Sequence, residues 1–126
     1  MKKITWEWLA GFYEGEGCAG SYITARNESV FRIAISQSNF LVLAAIKKFL
    51  KIGCVAEHGP SYDGIKRRKS WNFQVTGMKA ARLGFELLPH MRHPSKVQQL
   101  TKALNVYRAR LKKLSKIKEF RQFNQR

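Results

Sequence analysis

The spacing of hydrophobic residues along the chain predicts helices that alternate with β-hairpins. Apolar residues recur every three or four positions in some segments, as in amphipathic helices, and at every second position in others, as in half-buried strands. The resulting order is helix, hairpin, helix, hairpin, helix and helix. This order predicts an α+β fold built on a four-stranded antiparallel sheet, with residues 1–126 forming one domain.

Capping residues and glycines set the expected bounds of these elements. Thr5 is a suitable N-cap for the first helix, which Gly17 should end. Either Ser38 or Asn39 can cap the second helix. The predicted helices are Trp6 to about Glu16, Phe40 to Lys51, Met78 to Leu88, and Ser95 to about Phe123. The predicted hairpins comprise strands on either side of the turn Asn27–Ser29, and the strands Cys54–His58 and Ser70–Thr76.

Both hairpins are predicted to bury one face and to expose a polar face. Ile23, Phe31 and Phe73 belong to the apolar set. The polar set contains no acid, and its side chains can read base edges in a major groove, where Arg pairs with guanine and Asn or Gln with adenine. A solvated face without a partner is the alternative. The residues predicted to contact DNA from this face are Tyr22, Thr24, Arg26, Arg32, Ser36, Asn72, Gln74 and Thr76.

The charge of the chain favours a polyanionic partner. Lysine and arginine number 24 against 8 acids, a formal net charge of +16, which is well beyond what solubility requires. The basic run Lys66, Arg67, Arg68 and Lys69 is predicted to contact phosphates from a loop, the alternative being a solvated charge run. No segment has the roughly 20 apolar residues of a membrane span or resembles a signal peptide. Cys18 and Cys54 are expected to be free thiols. We therefore expect an intracellular protein with no membrane partner.

The stretch Leu9–Gly17 places two carboxylates after a helix segment rich in small residues. Gly11 and Gly15 are four residues apart, so they share a helix face that another helix can approach closely. Glu14 and Glu16 fall at the helix C-terminal end, where the dipole disfavours negative charge and a divalent metal could offset it. Because residues two apart point roughly 200° apart, the two carboxylates cannot share one metal on a regular helix.

The same stretch, Leu-Ala-Gly-Phe-Tyr-Glu-Gly-Glu-Gly, resembles the defining motif of the LAGLIDADG homing endonucleases, with Glu at both acidic positions. The order of elements also resembles that family over nearly all of residues 5–104. One copy of the motif implies a homodimer with the motif helices packed on the two-fold axis. The residues implied at that interface are Trp8, Gly11, Phe12 and Gly15.

The resemblance also implies a set of catalytic residues. Glu16 matches the acid that holds Mg²⁺ (with Mn²⁺ as a plausible substitute), and Glu14 would be structural, near the dimer seam. Gln37 matches a glutamine that holds catalytic water, although Leu41 stands where a basic residue would complete that pattern. Lys96 matches a lysine that polarises solvent, the alternative being an ordinary lysine at a helix start.

These observations predict a site-specific, Mg²⁺-dependent, homodimeric DNA endonuclease with a long pseudo-palindromic target and no small-molecule cofactor. The first alternative is a non-cleaving nucleic-acid-binding protein on the same scaffold, either an intron RNA maturase or a DNA-binding regulator. The acid at Glu16 favours cleavage. The second alternative is half of a two-motif protein, but the sequence contains one motif. His90 and His93 are interpreted as surface histidines, since no Cys or third His completes a metal site.

Overall fold

Helices and strands follow one another in the predicted order. The computed structural model describes residues 2–57 and 69–124, with side chains described as far as residue 114. The helices are α1 (Trp6–Glu16), α2 (Phe40–Leu50), α3 (Met78–Leu87), followed by a 3-10 helix (Leu88–His90), and α4 (Pro94–Asn124). The strands are β1 (Gly17–Ile23), β2 (Ser29–Gln37), β3 (Cys54–Glu57) and β4 (Trp71–Thr76). The predicted α+β architecture is confirmed.

Local hydrogen bonds explain where the first two helices begin. The N–H of Trp8 donates to Thr5 Oγ1 at 3.2 Å, and the N–H of Leu41 donates to Asn39 Oδ1 at 3.0 Å. These bonds satisfy backbone donors that a helix start otherwise leaves unpaired. Asn39, of the two predicted candidates, is therefore the cap of α2.

The four strands form one antiparallel sheet in the order β1-β2-β4-β3. Phe31, Ile33 and Phe73 are fully buried on one face, where the helices cover them. Burying each such side chain contributes roughly 1.5–3 kcal/mol. Gly84 lets α3 and α4 approach, because a Cβ there would lie 3.2 Å from Leu100 Cδ1. The helix-side core is completed by Leu9, Tyr13, Leu43, Ile46, Leu87, Leu100 and Leu104.

The bounds of the first strand differ from those predicted. β1 starts at Gly17, directly after α1, and ends at Ile23, whereas the predicted strand contained Thr24 and Arg26. Thr24 ends the strand instead, because its N–H donates to Glu28 O at 2.9 Å and its Oγ1 accepts the N–H of Glu28 at 3.1 Å. Ile23, predicted to be buried, is consequently 55% exposed.

The other differences lie at element ends. β3 ends at Glu57, and His58 lies outside the described residues. The third helix stops at Leu87, one residue earlier than predicted, and a 3-10 helix follows it at Leu88–His90. Cys18 and Cys54 are exposed and not bonded to each other, as predicted. Within the described residues, no helix combines the length and apolar character needed to cross a membrane.

Candidate active site and nucleic-acid interface

The two carboxylates at the end of α1 have different surroundings. Glu16, the last residue of α1, is exposed, and no hydrogen bond or ion pair within the described part of the chain engages it. Glu14 is partly buried: the N–H of Arg92 donates to its Oε1 at 2.9 Å, and the N–H of His93 donates to its Oε2. Glu14 is therefore occupied by backbone donors, whereas Glu16 remains available to a ligand.

A close contact determines how the chain leaves α1. A Cβ on Gly17 would lie 2.4 Å from Tyr13 Cδ2 and 2.9 Å from the Tyr13 carbonyl oxygen, so no larger residue fits there without a shift. The N–H of Gly17 donates the last helical hydrogen bond, to the carbonyl of Tyr13, and the extended backbone of Gly17 (φ −102°, ψ 168°) ends the helix. Since β1 begins at this same glycine, Glu16 has no flexible loop between the helix and the strand that flank it.

Lys96 is brought to this helix end by α4. Its Nζ donates to the Gly17 carbonyl oxygen at 2.6 Å, in a partly buried position. The contact joins residues 79 positions apart and puts the ammonium group next to the residue that follows Glu16. Of the three predicted catalytic residues, Lys96 is thus linked to the backbone that directly follows Glu16.

Gln37, the third predicted catalytic residue, ends β2. Its Oε1 accepts hydrogen bonds from the N–H of Ser38 at 2.8 Å and from Ser38 Oγ at 3.2 Å. Among the described residues its side chain makes no hydrogen bond to Glu16 or Lys96, so Gln37 is not joined to that pair. Its side-chain carbonyl oxygen is engaged, and its amide nitrogen has no hydrogen-bond partner in the described ranges 2–57 and 69–124.

The outward face of the sheet carries the predicted polar residues in register. Arg32 pairs with Thr76, and Ser36 pairs with Asn72, across β2 and β4. Ser36 Oγ donates to Asn72 Oδ1 at 3.2 Å, which links the two strands through their side chains. Alternation along each strand puts no acid on this face within the described strands.

Neighbouring side chains shape the same face. The guanidinium of Arg32 lies 5.9 Å from the ring centroid of Tyr22, and Asn72 Nδ2 donates to Gln74 Oε1 at 3.4 Å. Small residues that the sequence analysis did not assign to this face also point outward, so the longer polar side chains project beyond them. These small residues are Cys18, Gly20, Ala34, Cys54 and Ala56.

The remaining predicted DNA contacts lie off the strands. Thr24 and Arg26 belong to the connection between β1 and β2, so their predicted position in a strand is wrong. Lys69 Nζ lies 3.9 Å from Glu57 Oε1, and both side chains are largely exposed, so this ion pair contributes little to stability. The other three residues of the basic run, Lys66, Arg67 and Arg68, lie outside the described residues.

The predicted interface residues share one exposed side of α1. A Cβ on Gly11 or on Gly15 would meet nothing within 4 Å. Trp8, which is 44% exposed, stacks on Phe12 with ring centroids 5.0 Å apart and an interplanar angle of 12°. An aromatic pair beside two open glycines forms an apolar surface that a second helix could approach closely.

Comparison with known proteins gives matches at the level of structure. No protein-family model matches the sequence, and no curated protein matches it significantly. The homing endonuclease I-CvuI, solved in complex with its target, is 24% identical over 82% of this chain and 65% of that chain, with a TM-score of 0.64. The LAGLIDADG homing endonuclease I-LtrWI, solved bound to target DNA, is 21% identical over 94% of this chain and 43% of that chain, with a TM-score of 0.66.

A third solved structure, the homing endonuclease I-TnaI, is 15% identical over 84% of this chain and 73% of that chain, with a TM-score of 0.61. The chain therefore has the fold of the LAGLIDADG homing endonucleases, as the motif predicted. It spans 65% of the I-CvuI chain and 43% of the I-LtrWI chain, so activity and partners require separate arguments.

Proposed function

We propose that this protein is a site-specific double-strand DNA endonuclease of the LAGLIDADG homing type, acting as a homodimer on a long pseudo-palindromic site inside the cell. One observation carries the proposal: Glu16 is an exposed carboxylate without a hydrogen-bond partner among the described residues, and Lys96 donates to the carbonyl of Gly17, the residue that follows it. The fold supports it, because I-CvuI and I-LtrWI share that fold and were solved with their target DNA.

The sheet supplies the DNA contacts in this proposal. A twisted antiparallel sheet can follow a major groove, and its outward face offers Arg, Asn, Gln and hydroxyl groups without a carboxylate. The charge of +16 adds attraction to phosphates that is independent of sequence. Binding should therefore weaken steeply with salt, with a log–log slope of roughly −0.9 for each neutralised phosphate. A slope near zero would contradict the role given to the basic residues.

The exposed side of α1 supports the homodimer. One chain offers one available carboxylate at this site, while cutting both strands requires two. Packing the Gly11 and Gly15 surfaces of two copies together would put two Glu16 side chains near a two-fold axis, opposite the two scissile phosphates.

The residues at the end of α1 fit a divalent metal shared with the substrate. The described residues contain no group of three or more His, Cys, Asp or Glu that could form a complete metal cage. Mg²⁺ is often held by only one or two carboxylates together with waters and substrate phosphates, which suits Glu16. When bound, Mg²⁺ or Mn²⁺ would neutralise charge on the phosphate and lower the pKa of a coordinated water.

The protein residues have separate roles in the proposed reaction. Glu16 would hold the metal, and the outward face of the sheet would bind the DNA. Lys96, whose ammonium lies at the Gly17 carbonyl, is suited to stabilise negative charge that develops on the phosphate or on the attacking water. The free amide nitrogen of Gln37 can donate a hydrogen bond to that water.

The test is a cleavage selection on a plasmid library of pseudo-palindromic sites, with Mg²⁺ in one arm and Ca²⁺ in the other. The proposal expects cuts in both strands at a small set of related sites with Mg²⁺, and binding to the same sites with Ca²⁺. Binding without any cut in either Mg²⁺ or Mn²⁺ would refute the nuclease and favour the non-cleaving regulator. Binding to structured RNA but to no DNA site would favour the maturase.

A further inference from the structure

We propose that Glu14, the first acid of the motif, is a positioning residue that sets Lys96 against the end of α1. The proposal begins from the segment before α4, where the N–H groups of Arg92 and His93 both donate to the Glu14 carboxylate. A carboxylate that accepts two backbone N–H groups makes charge-assisted bonds, which are stronger than neutral ones. Glu14 therefore ties the chain just before α4 to the last turn of α1.

The first turn of α4 transmits this attachment to Lys96. The N–H of Val97 donates to the carbonyl of His93 at 3.0 Å, and the N–H of Lys96 approaches His93 Nδ1 at 3.4 Å. His93 thus anchors the start of the helix while its own N–H is held by Glu14. Because the helix is regular from Pro94, fixing His93 also fixes the direction in which Lys96 leaves the helix.

A second contact between these segments lies on the C-terminal side of Glu16. Lys96 Nζ donates to the Gly17 carbonyl, so the end of α1 and the first residue of β1 supply acceptors at positions 14 and 17. The donors come from the segment just before α4 and from its first turn. Glu16 lies between the two attachment points. Losing the Glu14 contacts should release the start of α4 and let the ammonium move away from the Gly17 carbonyl, although Glu14 makes no hydrogen bond to Lys96 itself among the described residues.

The first experiment measures the position of Lys96 without DNA. Lysines are reductively methylated at a fixed pH, and the methylation rate of each lysine is measured by mass spectrometry. Lys102, exposed on the same helix, is the internal reference. In the unmodified protein Lys96 should react several-fold more slowly than Lys102. In Glu14→Gln the two rates should converge, whereas in Glu86→Gln, an equal charge change at an exposed position on α3, they should not.

Unfolding curves establish that each variant is folded at the labelling temperature. Where glutamine prevents folding, Glu14→Asp serves instead, because it keeps the charge and shortens the side chain by one methylene; its rate ratio should lie between the two extremes. A rate ratio that stays unchanged in folded Glu14 variants overturns the proposal.

The second experiment tests the consequence for catalysis, and this part rests on the proposed nuclease function. Glu14→Gln should lower the single-turnover cleavage rate at saturating protein by about 10–100-fold, with DNA affinity in Ca²⁺ changed by about 2-fold or less. Combined with Lys96→Met, it should cause no further loss, because both changes remove the same contribution. Effects that multiply independently would overturn the link between the two residues.

Negative results in the two experiments would contradict different claims. If the unmodified protein cuts no DNA, the nuclease function is wrong, while the labelling ratio still decides whether Glu14 positions Lys96. If labelling changes but the cleavage rate does not, the catalytic part of the positioning proposal is overturned and the nuclease function stands.

Discussion

The two sides of helix α1 differ in what surrounds them. On the inner side Leu9, Ala10 and Tyr13 are fully buried, and a Cβ on Gly17 would collide with the Tyr13 ring. On the outer side the glycines have open space, and the aromatic residues are partly exposed. One short helix thus combines a face that packs into the core with a face that stays open among the described residues.

The two acids follow the same division. Glu14 is engaged by backbone groups ahead of α4, whereas Glu16 is exposed. Two identical side chains two residues apart can therefore serve different purposes, because their directions on the helix lead one into the protein and the other out of it. Substitutions on either side of α1 test this division directly.

The largest effect is expected from Glu16→Gln. Removing the charge removes the proposed metal ligand, and metal stabilisation worth several kcal/mol corresponds to a rate loss of roughly 1,000-fold. DNA binding in Ca²⁺ should change little, because the sheet contacts lie elsewhere. Matched nicking and gel-shift assays measure both quantities, and Glu7→Gln, in the first turn of α1, is the control. A variant that cuts at the rate of the unmodified protein would show that the chemistry is not at Glu16.

Next in size is the effect of Gly15→Leu on assembly. A leucine on the open side would hold two α1 helices apart and raise the dimer dissociation constant by at least about 30-fold, equivalent to 2 kcal/mol. Sedimentation at micromolar concentration should show a dimer for the unmodified protein and a monomer for the variant. Lys79→Leu, at an exposed position on α3, is the matched control. An unmodified protein that sediments as a monomer would contradict the assignment of the open side to an interface.

Gly17→Ala tests the closed side of the helix. The new methyl group would lie 2.4 Å from Tyr13 Cδ2, and overpacking of this kind costs roughly 1–3 kcal/mol of unfolding free energy. Chemical denaturation gives the value. Gly20→Ala places the same methyl group on the same strand, where nothing lies within 4 Å, and should not destabilise the protein. Equal stability of the two variants would show that the Tyr13 contact does not restrict position 17.

Tyr13→Phe should have the smallest effect and the opposite sign. The Tyr13 hydroxyl is buried and has no hydrogen-bond partner within the described residues, so removing it should raise the unfolding free energy by about 1 kcal/mol. A lower stability of the variant, measured by chemical denaturation at neutral pH, would show that the hydroxyl has a partner in solution.

The stability difference between Tyr13→Phe and the unmodified protein should depend on pH. Burial, with a smaller contribution from the neighbouring Cys18, raises the pKa of the Tyr13 phenol above its ordinary value of about 10. Above that pH the unfolded chain releases the proton while the folded chain keeps it, so the stability of the unmodified protein falls as pH rises. The stability difference between Tyr13→Phe and the unmodified protein should therefore widen between about pH 9 and 11. A constant difference would place the phenol in contact with solvent.

Sequence patterns predicted the elements whose signals are local. Thr5 and Asn39 cap helices through bonds to residues two or three positions away. The alternation in β2 and β4 predicted the buried side chains Phe31 and Phe73 correctly, because side-chain direction in a strand follows directly from its period of two. The motif resemblance also led to the fold.

The location of β1 was predicted wrongly because its residues carry little local signal. Small residues such as Cys18 and Gly20 show no alternation of apolar and polar side chains. Backbone pairing with β2, in the register Gly17 with Ile35, determines the strand instead. The hydrogen bonds of Thr24 then end it, and the sequence analysis had no pattern from which to infer them.

The candidate site also has features that follow from local sequence and features that follow from tertiary packing. Residue types and short spacings identified the candidate residues for the proposed chemistry: two carboxylates at the end of a glycine-faced helix, and a strongly basic chain around them. The engagement of Glu14, the exposure of Glu16 and the contact of Lys96 with Gly17, 79 residues away, depend instead on tertiary packing. Residue types and short spacings are local properties, whereas the pairing of donors with acceptors depends on how α4 packs against α1.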